Sequence, residues 1–169
     1  AVQFYSFKKE LEYLGLGDRA RSFFQGGTFK NLYAKYSEAN WMRGRMKQVS
    51  RSVSKIKERT RHAKAEKELW QAQCNCPYWH GVFGGLYLHH LRRGTYEHLI
   101  RAEELTSRVA KLQTLQQVEK DINQDGVDEL MIRTSAFSFF FLPHRGGSIG
   151  EIDFLPVKMN ILDTLTRRE

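Results

Sequence analysis

The sequence predicts an α+β protein: an antiparallel helical bundle over residues 1–111, then a partial antiparallel β-sheet, an incomplete β-sandwich, over residues 112–169. Three observations predict this. Apolar residues recur at helical spacing up to about Lys111. Beyond it the spacing shortens to that of strands, and Asp-, Gly- and Pro-rich stretches punctuate the chain where hairpins turn. The helical segments are joined by connections so short that neighbours must run antiparallel.

In chain order, Phe4, Phe7, Leu11 and Leu14 mark an amphipathic helix over Gln3 to Leu14, ended by Gly15 and Gly17. A short helical turn from Arg19 to Phe24 stops at Gly26-Gly27. Thr28 caps a segment in which Phe29, Leu32, Tyr33 and Tyr36 share one side. Ser37 caps the next helix, which runs through Trp41, Met42, Met46, Val49, Val53 and Ile56 to about Arg59. A further helix from about His62 to Cys74 places Ala65, Leu69 and Ala72 together. Pro77 forces a sharp turn and starts a central helix reaching Arg92, with Val82, Phe83, Leu86 and His90 gathered around Trp79. Its glycines cost about 1 kcal/mol each against alanine, so something must approach closely on their side. Gly94 interrupts, and Thr95 opens a helix with Leu99, Ala102, Leu105 and Val109 inside. Strands are expected at Leu112–Glu119, Glu129–Arg133, Phe137–Leu142 and Ile149–Phe154.

At 41 % hydrophobic and 12 % aromatic residues, the chain can build a core and is not a disordered segment. Its 169 residues allow one domain, or one and part of another. The apolar run Phe137 to Leu142 is far too short to span a membrane, and the opening residues lack the order of a signal peptide. They read as a helix entered partway, as in an excised fragment. Cys74 and Cys76 are too close for ordinary disulfide geometry, which suits a reducing, cytoplasmic setting.

The net charge is +8, and ten Lys or Arg stand against two Glu between Arg43 and Lys67. This admits a nucleic-acid-binding module. The basic residues are spread around the helix rather than confined to a stripe, and no nucleic-acid motif accompanies them, which favours a solvated helix face. A purely structural domain is a third reading.

The stretch Cys74-Asn-Cys-Pro-Tyr78-Trp79-His80-Gly-Val-Phe-Gly-Gly-Leu-Tyr87-Leu-His-His-Leu-Arg92 resembles the Cys-Asn-Asp-x-Tyr-Trp-His-Gly-x-Phe-Gly-Gly-x-Tyr-Leu-x-x-Leu-Arg segment of glycoside hydrolase family 57, in its α-amylase and 4-α-glucanotransferase branch. Other segments agree in order: Gly26-Gly27 with Asn31-Leu32, Lys35 to Asn40, Asp121 to Glu129, Pro143 to Glu151, and Asn160 to Arg168. The chain departs from the pattern at Cys76-Pro77, where relatives carry aspartate and a small residue, and at His89, where proline is common. The resemblance implies the middle and later part of a retaining enzyme acting on α-1,4-glucans or maltooligosaccharides. Its nucleophile and acid/base would lie in an upstream catalytic barrel, so no catalytic residue is assigned in this chain and the isolated chain is expected to be inactive.

The resemblance makes Tyr78, Trp79 and His80 the candidate substrate-binding residues, beside the cleft. Sugar rings stack on aromatic faces, and about 100 Å² of covered apolar surface is worth about 2.5 kcal/mol. The alternative is that Trp79 is core and His80 a satisfied buried histidine. Glu151 and Asp153 share a strand face, but such pairs usually form a sheet's solvent side. Cys74, Cys76, His80, His89 and His90 have the wrong spacing for zinc. Asp121, Asn123, Asp125 and Gly126 match the first half of a calcium loop, but the twelfth position is Ile132 rather than glutamate. An Asp/Gly-rich β-turn explains the same residues, so no metal or cofactor is assigned.

Overall fold

The structure is a computed structural model that describes residues 2–24, 29–79, 83–106, 115–163 and 165. It divides into two compact units, Ala1–Lys35 and Tyr36–Glu169. The first holds α1 (Val2–Tyr13), α2 (Gly17–Phe24) and α3 (Phe29–Lys35). Gly15 ends α1 in the left-handed region at φ 70°, as expected of a glycine just past a helix. The expected cap at Thr28 lies outside the described residues.

The second unit contains α4 (Ser37–Val53), α5 (Arg59–Ala72) and α6 (His89–Thr106), followed by β1 (Gln116–Lys120), β2 (Glu129–Arg133), β3 (Phe137–Leu142), β4 (Ser148–Phe154) and β5 (Met159–Asn160). Ser37 opens α4, but no side chain caps it; the capping position is Tyr36. Glu58 supplies a cap that the sequence pattern did not indicate, its carboxylate accepting from the backbone N–H of Thr60 and Arg61 at 2.7 and 2.8 Å. That contact draws its pKa below the ordinary glutamate value, the Arg61 N–H contributing most. The three helices pack around Met42, Val49, Val53, Ala65, Leu69, Ala72, Leu99 and Ile100, all buried.

Two expectations for the helices fail. The central stretch is not one helix: 3₁₀ turns at Cys76–Tyr78 and Gly85–Tyr87 stand where a rod from Pro77 to Arg92 was expected. Gly84 and Gly85 adopt φ 109° and 46°, which a right-handed helix does not allow. Conversely, α6 runs straight through Gly94. The modest cost of one helical glycine is offset by the burial of Tyr96, Leu99 and Ile100 in the next turns.

The strands form an antiparallel meander in the order β1-β2-β3-β4-β5. Of the expected strands, β2 and β3 have the predicted bounds, and β1 starts at Gln116, residues 111–114 lying outside the described set. One face of the sheet buries Glu129, Met131, Arg133, Ser138, Phe140, Glu151 and Asp153. Register pairs Met131 with Phe140 and Phe140 with Glu151, so these side chains form rows across the strands. The other face carries Phe137, Phe139, Phe141, Ile152 and Phe154, all half-buried. Phe137 and Phe154 stack at 4.9 Å between ring centroids. Trp41 meets Phe140 edge to face at 6.1 Å, which seats α4 on the sheet.

Candidate functional site

The candidate site grows from the Cys76–Leu88 segment. Pro77 starts the first 3₁₀ turn, where its missing N–H and fixed φ cost nothing. The Tyr78 side chain turns inward and is buried, its hydroxyl donating to the Ala72 carbonyl at 2.7 Å, which ties the segment to the end of α5. Tyr78 is therefore an anchor. The loop then closes on itself: the Leu86 N–H donates to the Trp79 carbonyl at 2.9 Å. A Cβ at Gly85 would stand 2.2 Å from that oxygen, so only glycine permits the approach. Arg92 holds the far side, donating to the Leu86 carbonyl through Nη1 and to Asp163 Oδ1 through Nε, both at 2.7 Å.

What this scaffold presents outward is aromatic. Trp79 is 47 % exposed, Phe83 93 % and Tyr87 46 %. Trp79 is thus not core, and of the residues expected around it Phe83 stands in solvent while Leu86 is buried. His80, with Val82, lies outside the described residues. The Tyr87 phenol is pushed to a higher pKa by burial first, then by its bond to Tyr36 and by the Glu38 carboxylate. Nearby, a polar cavity of about 300 Å³ is lined by Glu38, Trp41, Arg92, Tyr96, His144 and Asp163 among others.

The second feature is an interior charge cluster. Glu151 and Asp153 do share one strand face, but that face is buried and the pair is fully inaccessible. The reason is Arg45, 0 % exposed at the middle of α4. Its Nε donates to Glu151 Oε1 at 2.8 Å, and its Nη2 reaches Glu103 Oε2 and Asp153 Oδ2, each at 3.2 Å. Arg133 Nη1 stands 3.4 Å from Glu103 Oε2, and the Trp41 indole N–H donates to Glu151. The guanidinium lies 4.2 Å above the Phe140 ring. Burial lowers the Arg45 pKa, yet Glu103, Glu151 and Asp153 overcome it and raise it well above normal. Burial also pushes Glu103 up, but Arg45 and then Arg133 pull it below the ordinary value. Asp153 goes the other way: burial and the neighbouring Glu151 raise it well above normal, against the pull of Arg45. Sealed and paired, these carboxylates cannot reach a substrate. Nor is the basic stretch Arg43 to Lys67 wholly a solvated face, since Arg45 is its buried exception.

Cys74 and Cys76 are free and exposed. The Asp121–Gly126 stretch is a hydrogen-bonded turn, Asp121 accepting from the backbone N–H of Asp125 and Gly126 at 3.1 and 3.0 Å. Among the described residues, no helix is long and apolar enough to cross a membrane.

The fold and this segment place the chain among enzymes of the α-amylase/4-α-glucanotransferase class: residues 27–106 match the model of that family's middle domain, and residues 121–169 match its C-terminal domain. The chain belongs to this family, glycoside hydrolase family 57. It is 40 % identical over 165 residues to an α-amylase of Pyrococcus furiosus, covering 98 % of this chain and 23 % of the relative. It is 38 % identical over 168 residues to a 4-α-glucanotransferase of Thermococcus litoralis, covering 99 % of this chain and 24 % of the relative. The crystal structure of 4-α-glucanotransferase from Thermococcus litoralis superposes with a TM-score of 0.76 at 36 % identity, again covering 99 % of this chain and 24 % of that one. The chain thus spans about a quarter of the relatives' length.

Proposed function

We propose that this chain is the helical domain and the start of the C-terminal β-domain of a retaining α-glucan-active enzyme, of the 4-α-glucanotransferase or α-amylase type and acting on α-1,4 linkages. In this reading the Cys76–Leu88 segment walls the substrate cleft, and a catalytic barrel upstream in the same protein supplies the reacting carboxylates. The isolated chain binds no substrate productively and has no activity of its own. Its setting is the cytoplasm. The division between the domains falls at residues 111–112, within the interval between the two family matches.

The observation that carries this reading is the exposed ring of Trp79 on a backbone pinned by Tyr78, Gly85 and Arg92. An indole held in solvent on a backbone tied down at Tyr78 and Leu86 is suited to stacking on a sugar ring. His80, adjacent to it in sequence, is the proposed hydroxyl-binding partner. The half-buried face of Phe137, Phe139, Phe141, Ile152 and Phe154 suits the second sheet of a β-sandwich.

The test is Trp79→Ala in the complete enzyme. Loss of about 100 Å² of stacking surface is expected to lower kcat/KM for maltooligosaccharides by at least about tenfold, with the melting temperature unchanged. The companion change His80→Ala is expected to act in the same direction. Unaltered kinetics in both variants at unaltered stability would reduce the segment to scaffolding. Disproportionation of maltooligosaccharides by the isolated chain would contradict the assignment of the carboxylates to another domain.

A further inference from the structure

Charged carboxylates buried in a protein are paired with cations or bind metal ions. Glu103, Glu151 and Asp153 obey this through Arg45. Glu129 does not: it is 0 % exposed, at the start of β2, and no Lys or Arg forms an ion pair with it among the described residues. Its oxygens accept only neutral donors, the Ile122 N–H at 2.7 Å and the Asn123 side-chain amide at 3.1 Å. A buried carboxylate held by neutral donors alone is a place where a cation adds stabilisation.

Two further groups converge there from different parts of the chain. Asp125 comes from the β1–β2 turn, and His144 from the 3₁₀ turn (Pro143–Arg145) between β3 and β4. One ligand atom from each of Asp125, Glu129 and His144 lies within 4.8 Å of the other two. The imidazole does not approach either carboxylate closely enough for an ion pair, and it forms no hydrogen bond among the described residues. Ligands around an ion at about 2.1 Å stand roughly 3.5 Å apart, so a small closure by the exposed His144 side chain completes the geometry. Asp121 is not among the converging groups; its oxygens accept the backbone N–H of Asp125 and Gly126 and shape the turn, while Asp125 accepts from the Val127 N–H and the Asn123 amide, both at 2.9 Å.

We propose that Asp125, Glu129 and His144 bind a divalent metal ion, which clamps the β1–β2 turn to the β3–β4 hairpin. Two carboxylates and an imidazole suit a first-row ion such as Zn²⁺ better than Ca²⁺, which prefers an all-oxygen shell. Three protein ligands leave room for water. The missing twelfth-position glutamate of a calcium loop is then irrelevant, because the imidazole arrives from another hairpin.

The test uses the complete protein, untagged and purified without chelator. Elemental analysis is expected to find one more bound zinc per chain in the wild type than in His144→Ala. After dialysis against EDTA, Zn²⁺ alone is expected to raise the melting temperature of the wild type by several degrees and that of His144→Ala by much less. The two metal-free proteins are expected to melt together, because His144 is exposed. Glu129→Gln tests the buried ligand in the same way. Equal zinc content and equal thermal response in wild type and His144→Ala would overturn the proposal. So would a Ca²⁺ response that survives His144→Ala, which would put an ion in the turn without the imidazole.

Discussion

Replacing Arg45 with methionine is expected to destabilise the Tyr36–Glu169 unit by about 3–5 kcal/mol, the cost of removing one partner from a buried ionic cluster. Methionine fills much of the volume over Phe140, so the loss is electrostatic rather than a cavity. Glu103, Glu151 and Asp153 would be left in the interior with only the peripheral Arg133. Arg45→Lys should recover part of the loss and no more, because an ammonium cannot contact all three carboxylates in the arginine's forked geometry.

The effect has a pH signature. In the native chain Glu103 is held below its ordinary pKa, so its contribution is fully present above about pH 4.3 and is lost as pH falls through its folded value. Asp153 is raised, so it favours the native state at low pH, and this is lost as pH rises through its folded value. Without Arg45, burial raises Glu103 as well, and the variant loses stability as pH rises. The stability gap between the two proteins should therefore widen from acid to neutral pH. Urea unfolding at several pH values measures it; a gap that stays constant across that range would mean the cluster is not charged as described.

Gly44→Ala is the second large effect. A Cβ at position 44 would stand 2.2 Å from the Ile122 carbonyl oxygen, 2.8 Å from its carbon and 3.1 Å from the Asn123 Cα. All three are backbone atoms of the β1–β2 turn and cannot rotate away. Helix propensity alone favours alanine by about 1 kcal/mol, but the clash wins, with an expected net loss of about 1–3 kcal/mol. Gly94→Ala is the control. That glycine is also helical, has nothing within 4 Å of the added methyl, and should gain about 0.4–1 kcal/mol. The pair separates conformational preference from contact within one protein. Equal thermal shifts for both would show that α4 does not press on the turn.

Much of the fold is legible residue by residue, because local signals and packing agree. Strands β2 and β3 lie between the Asp/Gly-rich turn at 121–126 and the Pro/Gly-rich turn at 143–147, and Pro77 marks a real break. The central stretch misleads because its helical periodicity runs through two glycines whose positive φ ends any helix. The cue is present in the glycine cost itself, and what comes close is not another body but the loop's own Trp79 carbonyl. Glu151 and Asp153 show a different limit. Their spacing correctly puts them on one face, yet whether that face is wet depends on Arg45, more than a hundred positions earlier. No window of sequence contains that information. The exposed aromatics of the candidate site are half legible: Trp79 stands out in the sequence, whereas the exposure of Phe83 and Tyr87 depends on glycine conformations at 84 and 85 that helical spacing does not indicate.

Arg45 lies within the stretch matching one family domain, and Glu151 and Asp153 within the stretch matching the other. A charge that needs its counter-charges from across a seam makes the two inseparable as cassettes. Recombination that swapped either part between relatives would have to carry the matching ions along, so this junction should be inherited as a block.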